Sequence, residues 1–323
     1  MLRVIVAESE GFSPEARKIL AEAAEVRLLD LDRPQLLASA AEADVLWVRL
    51  RHRIDREVFG AAHRLKAVAS PTTGLNHIDL AEAERRRIRI LSLKGETAFL
   101  RTVSATAEHT VGLLLALIRS IPAAAAHIRA GGWNRDLFRG HELQEMTAGV
   151  VGYGRIGHLV ASYLCAFGVR VLAFDPRPDL DAAENDVALV PLETLLAESN
   201  IVSLHADLST ANSGFFGARE FATMKPGSWF LNTARGELVD ESALLAALET
   251  GKLAGAALDV LCDECSTGMS GHPLVEYAKR NNNLILTPHI GGCTAESMAK
   301  TEVFLAGRVT EYLMASACVA GAD

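Results

Sequence analysis

Three polar residues in the second half of the chain have types and an order that could carry proton and hydride chemistry. Arg235 follows Phe230-Leu-Asn-Thr-Ala, Glu264 follows Ala257-Leu-Asp259-Val, and His289 stands between Thr287-Pro288 and Ile290-Gly-Gly292. Each lies at or just past the end of an apolar, strand-like run. A planar guanidinium holds a carboxylate through paired hydrogen bonds at any relevant pH. An imidazole titrates near neutrality and can take the proton of a hydroxyl as hydride leaves the same carbon. A carboxylate beside that ring orients it and favours its protonated form. Taken singly, Arg235 would be a surface arginine, Glu264 a solvated loop acid and His289 a packing histidine. Their succession in one chain favours a shared site.

The hydride would need an acceptor, and the middle of the chain has a place for one. Gly149-Val-Val-Gly152-Tyr-Gly154-Arg155-Ile156-Gly157 follows a β-type run and opens a helical one, and the apolar run Val169 to Phe174 then ends on Asp175. Gly152 permits the sharp turn from strand to helix, Gly154 lets backbone approach a pyrophosphate, and Gly157 lets the helix pack close on the sheet. The helix N-terminus offers free N–H groups to phosphates. A carboxylate at Asp175 can accept from both ribose hydroxyls and would repel a 2′-phosphate, so NAD is expected rather than NADP.

These residues need a scaffold of parallel strands. Runs at Leu2–Ala7, Val26–Asp30, Asp44–Leu50, Leu65–Ala69 and Ile88–Leu93 alternate with helical patterns such as Pro14–Ala24 and Leu80–Arg87. A long helix, Thr102 to Ser120, is expected to stop at Pro122. A second series follows, with strands at Val150–Val151, Arg170–Phe174, Ile201–Leu204, Ser228–Asn232, Gly255–Asp259 and Leu284–Thr287, and a last helix from Ala295 to about Tyr312. Repeated βα units predict an α/β fold of two Rossmann/flavodoxin-like parallel-sheet domains. Residues 1–98, with a returning C-terminal helix at about 291–323, form the expected substrate domain. Residues 99–290 form an inserted NAD-binding domain. Ligands bind beyond the carboxyl ends of such strands, so the cleft between the domains is the expected site.

The 323 residues suffice for two cores, and 50% hydrophobic with 22% charged residues reads as globular. A net charge of −8 argues against phosphate-driven nucleic-acid binding. The longest apolar run of the middle, Val111 to Ile118, is too short for a membrane span, and the N-terminus reads as a strand, not a signal peptide. Five scattered cysteines fit reduced thiols in the cytoplasm. Cys262-Asp-Glu-Cys265, with Cys293 near His289, looks like a redox or zinc pair, but no second such pair accompanies it, so no metal is expected. His127, His141 and His272 read as ordinary loop or surface histidines, and Trp133 as a packing residue.

Asn232-Thr-Ala-Arg235-Gly236, Ala257-Leu-Asp259-Val260 with Glu264, Thr287-Pro-His289-Ile-Gly-Gly292 and the mid-chain fingerprint together resemble the D-isomer-specific 2-hydroxyacid dehydrogenases. Among these they look most like 3-phosphoglycerate dehydrogenase-like members without a regulatory extension. By that resemblance Arg235 binds the substrate carboxyl and carbonyl, His289 is the acid/base and Glu264 its partner. Ser70-Pro-Thr-Thr73-Gly74-Leu-Asn76-His77-Ile-Asp79 matches the family loop that receives the carboxylate, with Thr73 and Gly74 as donors. The resemblance further implies Arg155 and Ile156 at the pyrophosphate and Thr110 near the nicotinamide. His205 and Asn212 would line the diphosphate side, with Thr233 and Ala234 contributing backbone and Asp259 meeting the carboxamide. A homodimer built on the Thr102–Ser120 helix is also implied.

Departures from the family pattern bear on the substrate. Cys265 stands where the family often has proline, the stretch to His272-Pro273 is lengthened, and the hinge-like segment Lys94 to Arg101 is longer than usual. The loop Arg49-Leu-Arg51-His52-Arg53 is unusually basic. Charge runs are usually solvated faces, but Arg49 or Arg51, with Lys94 or Arg101, could meet a second anionic group such as a phosphate or phosphonate. Two other functions stay open on the sequence: a dehydrogenase of a phosphonate or other non-carboxylate substrate, and an NAD-sensing binding protein on the same scaffold.

Overall fold

A computed structural model describes residues 2–177, 187–264 and 269–320, with side chains as far as 316. The chain forms two compact units, Met1–Val103 with Thr294–Asp323, and Ser104–Cys293.

The first unit is a five-stranded parallel sheet. Its strands are β1 (Arg3–Val6), β2 (Glu25–Leu28), β3 (Val45–Trp47), β4 (Ala67–Ser70) and β5 (Arg89–Ser92), in the order β2-β1-β3-β4-β5. Successive side chains of a strand point to opposite faces, and both faces are covered here. Val4, Val6, Val45, Trp47, Ala67 and Ala69 pack with Leu305, Ala306, Val309 and Leu313 of the final helix Ala295–Ala320. Ile5, Leu46, Val48 and Val68 pack on the other side with Leu36, Val58 and Phe59. Leu305 is fully buried, a contribution of roughly 1.5–3 kcal/mol for one such side chain. The final helix therefore completes the core of the unit that begins the chain.

The second unit has seven parallel strands: β6 (Thr147–Val151), β7 (Arg170–Phe174), β8 (Ala188–Leu189), β9 (Ile201–Leu204), β10 (Ser228–Asn232), β11 (Leu253–Leu258) and β12 (Leu284–Leu286). Their order is β12-β11-β10-β9-β6-β7-β8. Strand order reverses on either side of β6, which creates the switch point where open α/β sheets bind ligands. The fingerprint follows β6. On one face Val150, Val171, Ile201 and Leu231 pack with Leu113, Leu114 and Leu117 of helix Ala105–Ile118 and with Val160 and Leu164 of helix Arg155–Ala166.

Two parallel sheets are thus present, as the alternating runs require. β8 was not expected. Pro122 does not end a helix. Ser120 turns left-handed with φ 51°, and a second helix, Ile121–Arg129, begins with Pro122 in its first turn, where the missing N–H costs nothing. The final helix runs to Ala320, past the expected Tyr312. Among the described residues no single helix is long and apolar enough to cross a membrane.

Candidate active site

Arg235, Glu264 and His289 follow β10, β11 and β12, three neighbouring strands, at their carboxyl ends. Asn232, buried at the end of β10, builds the first turn. Its Oδ1 accepts from the Ala234 N–H at 3.0 Å and its Nδ2 donates to the Arg235 carbonyl at 2.8 Å. The Arg235 guanidinium donates back to the Ala234 carbonyl at 2.5 Å, and among the described residues no carboxylate pairs with it. The next residue, Gly236, is glycine for space: a Cβ there would stand 2.1 Å from the Leu261 carbonyl carbon. The Arg235 turn is therefore pressed against the segment that leads to Glu264.

Glu264 accepts the Leu261 N–H at 3.3 Å through one oxygen and bonds His289 Nδ1 through the other. Both side chains are about four-fifths enclosed, at 20% exposure each. His289 Nε2 has no partner among the described residues. The histidine adopts φ 54°, a left-handed conformation uncommon outside glycine. Asp259, 1% exposed, holds it there. Its backbone carbonyl accepts the His289 N–H at 2.8 Å. Its carboxylate accepts from Ile290 N at 2.9 Å, Gly291 N at 2.7 Å, the Thr287 hydroxyl at 2.6 Å and His109 Nε2 at 3.2 Å. Burial alone would raise the Asp259 carboxyl, but these donors outweigh it and hold it below the usual carboxylate range. The structure thus gives Asp259 a large task, fixing the His289 loop, that its expected contact with a carboxamide did not include.

The residues expected to meet the nucleotide all lie in the second unit, those of the glycine fingerprint directly after β6. Gly152 has φ +94°, and a Cβ there would lie 2.5 Å from the Ala206 nitrogen. At Gly157 a Cβ would lie 2.1 Å from the Gly152 carbonyl oxygen. Gly154 differs: its Cβ would meet nothing closer than Arg177 at 3.8 Å. Packing requires the outer two glycines, and the middle one leaves open space at the N-terminus of helix Arg155–Ala166, which fits a pyrophosphate lying there. Burial lowers Arg155, opposed by the charge of Asp207. Ile156 packs on the helix-side core. Asp175 accepts the Tyr153 N–H at 2.9 Å and is held by the Arg177 guanidinium at 2.8 Å on each oxygen. Burial raises its carboxyl, and Arg177 with the backbone donors more than reverses this. Thr110 and Thr233 are buried together, their hydroxyls 2.7 Å apart, with Ala234 next in the turn. His205 bonds Ser203 at 2.7 Å through Nε2, and its enclosed Nδ1 has no partner among the described residues. Burial pushes its pKa down to about 3. Asn212 uses its amide within its own loop, accepting from Ser209 N and donating to the Asp207 carbonyl.

In the first unit Thr73 and Gly74 follow β4, in a turn where Thr72 Oγ1 donates to the Gly74 carbonyl at 2.8 Å. Neither of their backbone N–H groups has a partner among the described residues. Arg49 of the basic loop has partners within its own unit. Its guanidinium bonds the buried Glu302 of the final helix at 2.5 and 3.1 Å and the Glu10 carbonyl at 2.8 Å. Glu302 also accepts the Ser13 N–H at 2.7 Å, so Arg49 and Ser13 together fasten the final helix. Arg51 pairs at 2.5 Å with Asp30, and both are half-exposed. Lys94 is exposed, with its backbone N–H on Ser92 Oγ.

Sequence reading missed His109, Asn232 and Glu241, and took His272 for an ordinary histidine. His272 is 18% exposed and bonds Glu241 at 3.1 Å. The only signal for His109 was a histidine beside Thr110 in the polar first turns of a helix that continues as an apolar run. Cys265 lies outside the described residues. No group of three or more metal-ligating side chains occurs among those described.

Comparison with known proteins is consistent with this geometry. Residues 111–291 match the model of the D-isomer specific 2-hydroxyacid dehydrogenase, NAD binding domain. The D-3-phosphoglycerate dehydrogenase of Mycobacterium bovis is 39% identical over 295 residues, covering 91% of this chain and 54% of its own length. The chain thus spans about half the length of several curated relatives it matches. The hydroxypyruvate reductase of Thermotoga maritima is 33% identical over 316 residues, covering 97% of this chain and 99% of its own. Among solved structures, D-lactate dehydrogenase from Aquifex aeolicus, complexed with NAD and lactic acid, superposes with a TM-score of 0.84. It has 26% identity and covers 97% of this chain and 96% of that one. With a family model spanning more than half of it and a full-length relative a third identical, the chain belongs to the D-isomer-specific 2-hydroxyacid dehydrogenase family, and its second unit is that family's NAD-binding domain.

Proposed function

We propose that this chain is a cytoplasmic homodimeric enzyme that transfers hydride between NAD(H) and a small D-2-hydroxy acid or its 2-oxo acid. The observation that carries the reading is the His289–Glu264 pair, with Nδ1 on the carboxylate and Nε2 left for a substrate. In the oxidative direction Nε2 takes the hydroxyl proton as the carbon–hydrogen bond breaks. Bound NAD supplies the hydride acceptor. Glu264 holds the ring through Nδ1 and faces the imidazolium that results with a carboxylate. In the reductive direction the Nε2 proton returns to the carbonyl oxygen. Arg235, which pairs with no carboxylate among the described residues, binds the substrate carboxylate and draws charge from the carbonyl. Gly152, Gly154, Arg155, Ile156, Gly157 and Asp175 would hold the cofactor, with Thr110, His205, Asn212, Thr233, Ala234 and Asp259 around it. The N–H groups of Thr73 and Gly74, without partners among the described residues, suit a grip on the substrate carboxylate.

For a second anionic group we assign Arg51, with Lys94 as a further cation. An exposed pair such as Arg51–Asp30 is worth only ~0–1 kcal/mol, so a phosphate can exchange for Asp30 at little cost. The test is NADH oxidation with hydroxypyruvate, pyruvate and a phosphorylated 2-oxo acid. Turnover that falls by ~10²–10⁴-fold in His289→Asn is expected. Arg51→Ala should lower kcat/KM for the phosphorylated substrate more than for the others. NAD binding with no turnover of any 2-oxo acid would overturn the enzymatic reading in favour of a sensor. Equal effects of Arg51→Ala on all substrates would remove Arg51.

A further inference from the structure

Outside the residues that face the substrate, one carboxylate touches the catalytic segment twice. Glu241 opens helix Glu241–Glu249, which Asp240 caps through its side chain. Glu241 Oε1 accepts the Cys262 N–H at 2.8 Å, and its Oε2 bonds His272 Nε2 at 3.1 Å. Cys262 and His272 lie on either side of Glu264 in the sequence. Beneath Cys262 sits Gly236, where a Cβ would come within 2.4 Å of the Cys262 nitrogen. The same short stretch therefore abuts the Arg235 turn, meets Glu241 and leads into Glu264. Asp263, between them, adopts φ 54°, a conformation an aspartate tolerates but does not seek. Something must hold that backbone in place.

We infer that Glu241 and His272 are positioning residues that fix Cys262–Glu264 so that the Glu264 carboxylate meets His289 Nδ1. The inference rests on the acid/base reading given above and deepens it. Neither residue touches the reacting atoms. Glu241 acts through the Cys262 N–H, whose place decides where Glu264 starts, and His272 holds the second oxygen of Glu241 so that the first keeps its direction. A bond to an ionised acceptor is about twice as strong as one between neutral groups, which suits a tether of this kind. The Cys262 thiol, pushed up to about 12 by burial and by Glu241, Glu237 and Asp263, stays protonated beside it, so the cluster is a fastening and not a nucleophile.

The experiment compares Glu241→Ala, Glu241→Gln, His272→Asn, Glu264→Gln and the double variant E241A/E264Q. Its readouts are the pH profile of kcat/KM for hydroxypyruvate reduction, the Kd for NADH and Tm. Glu264→Gln removes the carboxylate that faces the ring when it carries the proton, and the basic limb of the profile is expected to move to lower pH. Glu241→Ala is expected to move it the same way and to lower kcat by up to ~10²-fold, the scale of a 1 Å misplacement, with NADH affinity little changed. Glu241→Gln keeps an acceptor for Cys262 and recovers most of the rate. The double variant is no slower than Glu264→Gln, because both changes remove one interaction. A Glu241→Ala enzyme with lowered Tm but a wild-type pH profile would show a merely structural contact and overturn the inference, as would additive losses in the double variant. If Glu241→Ala does not fold, His272→Asn carries the same test. A wild-type profile in Glu264→Gln would instead bring down the acid/base reading, and this inference with it.

Discussion

His205 and Cys262 are polar side chains that their surroundings hold uncharged, and each makes that visible as a pH dependence. The imidazole falls from an ordinary 6.5 to about 3 on burial. Between those values the unfolded chain binds a proton that the native chain does not, so stability is intact above about pH 6.5 and is lost as pH falls towards 3. The slope approaches at most about 1.4 kcal/mol per pH unit for one proton. Replacing His205 with Gln should flatten that acid slope. Urea midpoints of the cofactor-free protein at pH 7 and pH 4.5 measure it, and an unchanged difference between the two would count against a buried neutral ring. Cys262 makes the converse prediction. A thiol pushed up to about 12 carries almost no thiolate at pH 8, so iodoacetamide at pH 8 should leave Cys262 unlabelled in the folded enzyme while exposed Cys293 reacts. Peptide mass spectrometry separates the two sites.

At the scale of elements, the turn from β6 into helix Arg155–Ala166 assigns its three glycines two different tasks. Gly157→Ala drives a methyl to 2.1 Å from the Gly152 carbonyl oxygen and should lower Tm as well as cofactor affinity. Gly154 has a φ of −87° and open space at its Cβ position, so Gly154→Ala should fold with stability within about 0.5 kcal/mol of wild type. It should still raise the Kd for NADH by about tenfold or more, a cost of at least 1.4 kcal/mol. Fluorescence titration beside thermal melts checks both, and equal Tm losses in the two variants would refute the division. The strands were legible because buried parallel strands are short apolar runs closed by polar turns, and the Gly152–Gly157 turn because its spacing is itself the mechanism. β8 was not, since Ala188 and Leu189 are exposed and only two residues long. Pro122 misled because proline permits a first turn as readily as it ends a helix. Arg235, Glu264 and His289 could be read from local segments. The pairing of Arg49 could not, because its partner Glu302 stands 253 positions further on. Glu241 escaped for the same reason: nothing in its own segment announces Cys262 and His272.

Among the described residues, exposed large apolar side chains recur within one stretch, residues 121–137. Helix Ile121–Arg129 has no buried residue, and Ile121 and Ile128 are each about half-exposed. The segment beyond it exposes Trp133 at 90% and Leu137 at 62%. Large apolar side chains gathered in this way mark an interaction surface more often than a solvent face. Within the stretch Asn134 accepts the Asp136 N–H at 3.0 Å and the His127 ring tilts against Phe138 at 5.3 Å. A second copy of the same chain is the partner we propose, since a two-fold pair lets each exposed patch be covered by symmetry. Aromatic residues in such patches dominate association energies, often by 2 kcal/mol or more for one truncated side chain. Trp133→Ala together with Ile128→Lys should therefore shift the protein from twice the mass of one chain to the mass of one, measured by light scattering after size exclusion. Neither residue belongs to the core clusters, so far-ultraviolet circular dichroism of the monomer should match the parent. A parent that already elutes as a monomer at micromolar concentration would reject the pairing. A variant that still elutes as a dimer would place the interface on another face.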